Sequence, residues 1–349
     1  MRATHAIDQS EAGVTSPTRV YEWPVFCSSL RFLLLVGGWM LWAATASADA
    51  LFVSNFNTNT ILRFDLAGNP TPFADASDGL LMPDSLAFDA SGNLFVANRG
   101  ARNILRFDPM GNPRVFADAS DGLLAPFALA FDSSGDLFVA NATGGGLTGN
   151  NNILRFDPAG NATVFADASD GIADPRGLAF DSQGNLFVVN QQLVRGGRAV
   201  DGNILKFDPA GNATLSWESS AFFFLDELTI DANDNLFVSN LGPANILRVD
   251  PVGNVAVLAT GVAATGFAFD ASDNLFVARG FLGGDMILRF NPAGDRTVFA
   301  DASDGLSFPN GLAFAAIPTN VSEPGTILLW VSAAIGMMIL RRRKEPAVG

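Results

Sequence analysis

The chain holds one cysteine, one histidine and one tyrosine in 349 residues. They are Cys27, His5 and Tyr21, and all three precede the first apolar run. A chain trimmed near residue 50 keeps none of them. It then forms no disulfide, no thiolate or imidazole metal centre and no Ser-His-Asp triad. Lysine stands only at 206 and 344, and the net charge is -14. Phosphate recognition needs basic patches, so nucleic acid is excluded as a partner. Any chemistry falls to Asp, Glu, Asn, Ser, Thr and Arg. What the chain has in quantity is Phe, at 30, Gly, at 35, and Pro, at 18. That mixture gives an aromatic core and many turns.

Both ends read as addresses. Arg31 precedes FLLLVGGWMLWA at 32–43, and ATASADA follows at 44–50. A basic residue, a short apolar run and an A-x-A pattern predict a secretory signal in residues 1–50, cleaved after Ala48 or Ala50. At the other end, a linker over 317–325 carries Ser322, Glu323 and Pro324. The segment 326–344 then holds an apolar run to Leu340 and a basic tail with Arg341, Arg342 and Arg343. The run from 326 to 340 rises about 22 Å as a helix, at about 1.5 Å per residue. That is a short membrane helix against a bilayer core of about 30 Å. These three parts, in this order, resemble the PEP-CTERM sorting signal, with Ser322 where that family usually has Pro. The resemblance implies a Gram-negative source, export across the inner membrane and an exosortase-like protease as processing partner. The product is then membrane-anchored, cell-surface or extracellular.

Between the ends the chain repeats itself. LFV begins at Leu51, Leu94, Leu137, Leu186, Leu236 and Leu275. An ILRF-like run begins at Ile61, Ile104, Ile153, Ile204, Ile246 and Ile287. A TVFA-like run follows each, and a GLAFD-like run precedes the next LFV. Each run has the length, Val/Ile/Leu/Phe content and turn borders of a strand. Turns such as FDPAGN at 156–161 and FDSQGN at 180–185 join them into hairpins, with Asp157 and Asp181 as turn stabilisers. Asn161 and Asn212, and with them Asn141, stand in N-x-T sequons and read as turn residues. Four strands at a period of roughly 40 to 50 residues predict a propeller. The first unit lacks its GLAFD strand, and the chain supplies NGLAF at 310–314 after the last. The expected fold is therefore all-β over 51–316: a six-bladed propeller, four strands per blade. A C-terminal strand completes the N-terminal blade and closes the ring. The units resemble NHL repeats and, more broadly, six-bladed TolB-like propellers. That resemblance implies fold far more than function.

FADASDG recurs at 73–79, 116–122, 165–171 and 299–305, always between one blade's last strand and the next blade's first. One reading is a repeated turn capped by its own Asp and Ser. The other is calcium, with hard oxygen ligands from Asp75 and Asp78, Asp118 and Asp121, Asp167 and Asp170, and Asp301 and Asp304. Blade four breaks the pattern with SWESSAFFFLDE at 216–227, near the long loops 142–152 and 191–203. There Trp217, Glu218, Phe222, Phe223 and Glu227, with Arg195 and Arg198, make a candidate partner surface.

Some six-bladed relatives are calcium-dependent lactonases, and the resemblance draws attention to Asp84, Asp226, Glu227 and Asn310 at the starts of GLAFD-type strands. Asn55, Asn98, Asn141, Asn190 and Asn240 end LFV strands in five blades, so they read as a structural turn. The relatives that act as lyases need His, which is missing. The sequence thus favours an exported, non-enzymatic binding or matrix component, monomeric, for an extracellular polysaccharide or protein. A calcium-dependent lactonase-like hydrolase and a purely structural surface protein are the alternatives.

Overall fold

The computed structural model describes residues 50–142, 151–191, 202–219, 222–281 and 284–315. The export signal, the linker, the tail with Ser322, Glu323, Pro324, Arg341, Arg342 and Arg343, and the loop residues Arg195 and Arg198 lie outside these. Among the described residues no helix is long and apolar enough to cross a membrane.

The described residues form six antiparallel four-stranded sheets. Blade one combines β24 (Pro309–Phe314) with β1 (Leu51–Asn55), β2 (Thr60–Phe64) and β3 (Pro70–Ala74). Blade two is β4 (Pro83–Phe88), β5 (Leu94–Asn98), β6 (Asn103–Phe107) and β7 (Pro113–Ala117). Blade three is β8 (Pro126–Phe131), β9 (Leu137–Asn141), β10 (Asn152–Phe156) and β11 (Ala162–Ala166). Blade four is β12 (Pro175–Phe180), β13 (Leu186–Asn190), β14 (Asn203–Phe207) and β15 (Ala213–Glu218). Blade five is β16 (Leu225–Ile230), β17 (Leu236–Asn240), β18 (Asn245–Val249) and β19 (Val255–Thr260). Blade six is β20 (Gly266–Phe269), β21 (Leu275–Arg279), β22 (Met286–Phe290) and β23 (Arg296–Ala300). The protein is an all-β six-bladed propeller, closed as the phase of the repeat predicts. Leu51 pairs with Phe314 and Val53 with Leu312, so the joint is an ordinary antiparallel ladder.

The first strands of neighbouring blades pack around the axis. Small residues at their third positions, in every blade but the fifth with its Glu227, allow it. A Cβ on Gly177 would lie 2.6 Å from the Leu228 backbone nitrogen, and one on Gly311 would run into the Asp84 carbonyl. Between blades, rings interlock. In blade one Phe52 meets Phe73 at 4.9 Å and Phe88 of the next blade at 5.1 Å, both edge-on. Phe95 with Phe116 and Phe131, Phe138 with Phe165 and Phe180, and Phe276 with Phe299 and Phe314 repeat the arrangement.

Blade four departs, and this corrects two of the expected partner residues. Trp217 stacks on Phe187 at 5.7 Å, taking the place of the outer-strand Phe. The positions facing it in blade five carry Ile230 and Val249, where other blades carry Phe. The indole fills the volume those two rings would occupy, so Trp217 is a packing compensation. Phe222 is 1 % exposed and belongs to the same core. Phe222 is therefore not available to a partner, while Trp217 is half-buried against Phe187. Glu218 and Phe223 are exposed.

The repeated heptapeptide has a local cause. In each copy a short 3-10 turn is closed by a reciprocal capping box. In the first, the Asp75 carboxylate accepts from the Ser77 amide at 2.7 Å, and the Asp78 carboxylate accepts from the Asp75 amide at 3.0 Å. Gly79 ends the turn in the left-handed region, at φ 92°. Asp118 with Asp121, Asp167 with Asp170 and Asp301 with Asp304 do the same. Asn98 then ties this loop to the second strand. Its side-chain oxygen accepts from the Leu81 amide at 2.6 Å, and its amide donates to the Gly79 carbonyl at 2.9 Å. Asn55, Asn141 and Asn190 act identically, and the Asn240 oxygen accepts from the Phe223 amide. In the hairpin joining β10 to β11, Asp157 accepts from the amides of Ala159 and Asn161, as the turn reading requires.

Candidate functional site

The copies diverge at the start of each blade's first strand. The second residue of the first strand is Asn310, Asp84, Phe127, Arg176 and Asp226 in blades one to five, and Thr265 stands there in blade six. In blades one to five a bulge frees this residue from the ladder, as between Pro83 and Leu86. A bulge bends its strand and re-aims the side chain. All six side chains line one cavity of about 400 Å³ at the axial mouth, on the face that also carries the Asp-Ala-Ser-Asp loops. The volume is within the range typical of small-molecule sites, roughly 300–1,000 Å³.

Two guanidiniums organise the wall. Arg176 places its Cζ 3.9 Å from the Phe127 ring centroid, and Arg99 lies over the other side of the site, 4.6 Å from Phe127 and 4.9 Å from Phe56. Stacking of this kind fixes a cation's orientation while leaving donors free. Arg99 donates to one Asp84 oxygen at 3.1 Å, and Asn310 donates to the other at 2.6 Å. Arg176 donates to Asp174 at 3.0 Å, and Asp174 is 1 % exposed. The Arg176 Nε and the Asp174 Oδ1 are buried without a hydrogen-bond partner. Gln191 enters from the end of β13 and donates to the Leu225 carbonyl at 3.2 Å. The rim is aromatic: Phe224, Phe281 and Phe308 line the opening. Phe224 and Phe308 both stand just before a first strand with left-handed backbone, at φ 56° and 51°. For a bulky side chain that conformation is costly and marks a place where the fold dictates direction.

Glu227 and Asp84 line both this mouth and the narrower channel below it. Burial pushes the Asp84 carboxyl up to about 7; Arg99 opposes the rise and Asp226 adds to it. Burial raises Asp226 too, against the pull of Arg176 and Arg99. Glu227 is raised well above the usual carboxylate range by burial and then by Asp226 and Asp84. Burial also raises Asp174, held back by Arg176. Surrounding protein penalises the charge of these acids. The cavity thus sets carboxyl groups whose charged form is disfavoured beside two guanidinium donors.

Of the residues expected from sequence, Asp84, Asp226, Glu227 and Asn310 meet here. The eight Asp of the repeated loops do not; they sit in separate blades, each engaged in its own turn. Among the described residues no group of three or more His, Cys, Asp or Glu is placed to hold a metal ion. Arg99, Arg176, Phe127, Thr265 and Gln191 were not anticipated. The signal was present in the aligned repeats as two columns where no two neighbouring blades agree: the second residue of the first strand, with Phe127, Arg176 and Thr265, and the residue just after the second strand, with Arg99 and Gln191.

No protein-family model and no curated protein matches the sequence. Solved structures match the fold. A chain from the nidogen/laminin complex is 18 % identical with a TM-score of 0.64, covering 77 % of this chain and 98 % of that one. A protein of unknown function from Bacteroides caccae is 12 % identical at 0.57, covering 77 % and 99 %. A gluconolactonase from Xanthomonas campestris, XC5397, is 20 % identical at 0.50, covering 66 % and 83 %. At these identities the likeness is one of fold. The chain is a six-bladed propeller in architecture.

Proposed function

We propose that this is an exported propeller that works outside the cytoplasm as a non-enzymatic binding or matrix component. Its ligand site is the axial mouth, and its ligand is a saccharide unit of an extracellular polysaccharide. One observation carries the reading: the repeat is copied blade to blade, yet diversifies at the six side chains that converge on one cavity. A repeat under demand for fold alone has no reason to differ there. The residue set suits a polyhydroxylated ligand. Arg99, Arg176, Asn310 and Gln191 supply polar contacts, Asp226 supplies a carboxyl group, and the Phe rim packs against C–H faces. The export signal and the tail resembling PEP-CTERM fit this use, with exosortase-like processing at Ser322-Glu323-Pro324. Affinity electrophoresis against exopolysaccharides, with calorimetry on oligosaccharides, tests the proposal. Retardation that is lost in Asp226→Asn and Phe127→Ala supports it; retardation unchanged in both variants, or none with any polysaccharide, overturns it.

A calcium-dependent lactonase is the second reading, favoured by the meeting of Asp84, Asp226, Glu227 and Asn310. The neighbour named as a gluconolactonase is consistent with it at the level of fold. Against it, both Asp84 oxygens are engaged, by Arg99 and Asn310, and two guanidiniums already provide the positive charge. Calcium-stimulated lactone hydrolysis that disappears in Glu227→Gln is the outcome that would establish it.

A further inference from the structure

The interlocking rings leave one place empty. At the junction of blades five and six the outer strand offers Leu258 where Phe73, Phe116, Phe165, Trp217 and Phe299 stand elsewhere. The rings that would surround an aromatic are all retained: Phe237 and Phe269, 5.3 Å apart and edge-on, with Phe290 beside them. The result is a slot of about 360 Å³. The equivalent slot between blades three and four, which keeps Phe165, measures about 230 Å³. The glycine of the facing hairpin tells the same story. A Cβ on Gly111, Gly160, Gly211 or Gly253 would touch the preceding blade's ring, whereas one on Gly294 would meet nothing within 4 Å. At the junction of blades four and five, Trp217 stands against Ile230 and Val249 where other blades carry Phe; here no described residue fills the place of the ring.

The slot also differs in its polar rim. At the blade four and five junction, Asp234 accepts hydrogen bonds from the amide and hydroxyl of Ser182, at 2.8 and 2.7 Å. Its counterpart in blade six is Asp273, and the residue facing it is Ala232, so that latch is lost. Asp273 is exposed, lines the slot, and its carboxylate makes no hydrogen bond or ion pair among the described residues. Arg248 lines the slot as well. Its counterparts Arg155 and Lys206 pair with Asp136 and Asp181, while Arg248 makes no ion pair among the described residues.

We propose that this slot binds a small aromatic zwitterion of the aromatic amino acid class. The ligand ring takes the place vacated at Leu258, its ammonium faces Asp273 and its carboxylate faces Arg248. Each element has an internal precedent: the ring position is defined by the other junctions, Asp273 lacks the serine that faces Asp234, and Arg248 makes no ion pair although Asp231, the counterpart of Asp181, lines the slot and accepts from Asn233 and Asn235. Apolar cavities of aromatic shape accept aromatic ligands readily. This site lies on the hairpin face and is independent of the axial mouth.

The test is calorimetry and thermal shift on the exported protein with L-phenylalanine, L-tyrosine and L-tryptophan. L-leucine, phenethylamine and hydrocinnamate serve as comparison probes that lack the ring, the carboxylate and the ammonium. An aromatic amino acid is expected to bind, with leucine giving no shift and each truncated probe at least tenfold weaker. Leu258→Phe is expected to abolish binding while raising the melting temperature of the free protein. Asp273→Asn, a surface change that leaves packing intact, is expected to weaken binding about tenfold and covers the case in which Leu258→Phe does not fold. No heat or shift with any aromatic amino acid overturns the proposal. So does binding that survives Leu258→Phe, or affinity equal to that of leucine.

Discussion

Asn310 donates a 2.6 Å hydrogen bond to Asp84 across 226 residues of sequence. It links the strand that closes the ring to the blade beside it, and it does so at the neck of the axial channel. The bond satisfies one oxygen of an acid whose charge the fold resists. This bond, like the one from Arg99 to the other oxygen, favours the carboxylate and opposes the burial that raises the group.

The pH dependence follows from the direction of that shift. The Asp84 carboxyl is raised to about 7 in the fold from an ordinary value of 3.8. Between those limits the native state binds the proton more tightly than the unfolded chain, so stability falls as pH rises from about 4 to about 7. Asp226 and Glu227 are raised as well and act in the same sense. Asp65, Asp75 and Asp108, whose carboxyls are lowered by hydrogen bonds from Asn69, Ser77 and Asn112, act oppositely. Their contribution is present above 3.8 and is lost as pH falls below it. Denaturant midpoints measured from pH 3 to pH 8 are expected to peak in mildly acidic solution. Asp84→Asn should flatten the descending limb; an unchanged limb would show that Asp84 is not the group responsible.

The repeated loops give a second expectation. Removing an N-cap carboxylate costs about 1 kcal/mol. Asp75→Ala and Asp118→Ala should each lower stability by about that amount, and the double variant by about twice it, because separate blades add independently. The calcium reading of Asp75 and Asp78 and their copies predicts something else: a melting temperature that rises with calcium, falls with chelator and loses that response in the same variants. If turn capping is the whole role of these Asp, the melts with and without calcium superimpose.

Much of this architecture was legible in the chain before any coordinates. The six LFV starts, the four-strand unit and the missing GLAFD strand fix the blade count and the closure. The site was half legible. Asp84, Asp226, Glu227 and Asn310 stand out as polar residues at strand starts. Arg176 and Phe127 do not, since a consensus reading discards the variable column in which they stand. Arg99 stands just after the second strand, in a column as variable as the first-strand one, and is placed by stacking on Phe56 and Phe127, a contact between three blades. Trp217 misled in the other direction. Its uniqueness suggested a partner surface, but its cause is two small residues, Ile230 and Val249, on strands of the following blade. Compensation across a blade boundary is a tertiary relationship that one repeat does not display.

That account of Trp217 is itself testable. Trp217→Ala should cost about 3 to 5 kcal/mol, the usual range for removing a large aromatic from a core. Trp217→Phe should cost less, and adding Ile230→Phe should recover part of the loss by returning a ring to the junction. Urea unfolding of the three variants decides it. Equal stability of Trp217→Ala and the parent chain would return the indole to the list of surface residues.

The pair Arg176 and Asp174 carries the last expectation. Asp174 is 1 % exposed and its only hydrogen-bonding cation is Arg176, which also stacks on Phe127. Removing one member of a buried pair strands the other, at a cost of about 3 to 5 kcal/mol. Arg176→Met should therefore destabilise strongly. The loss should deepen as pH rises, because Asp174, already raised by burial, then has nothing to hold its charge. Arg176→Met with Asp174→Asn removes the stranded charge and should recover most of the stability, with no pH dependence from this position. The mouth would still lack its stacked guanidinium, so saccharide binding should remain weak in the double variant. Recovery of fold without recovery of binding would separate the structural role of this pair from its place in the site; recovery of both would show that Arg176 serves the fold alone.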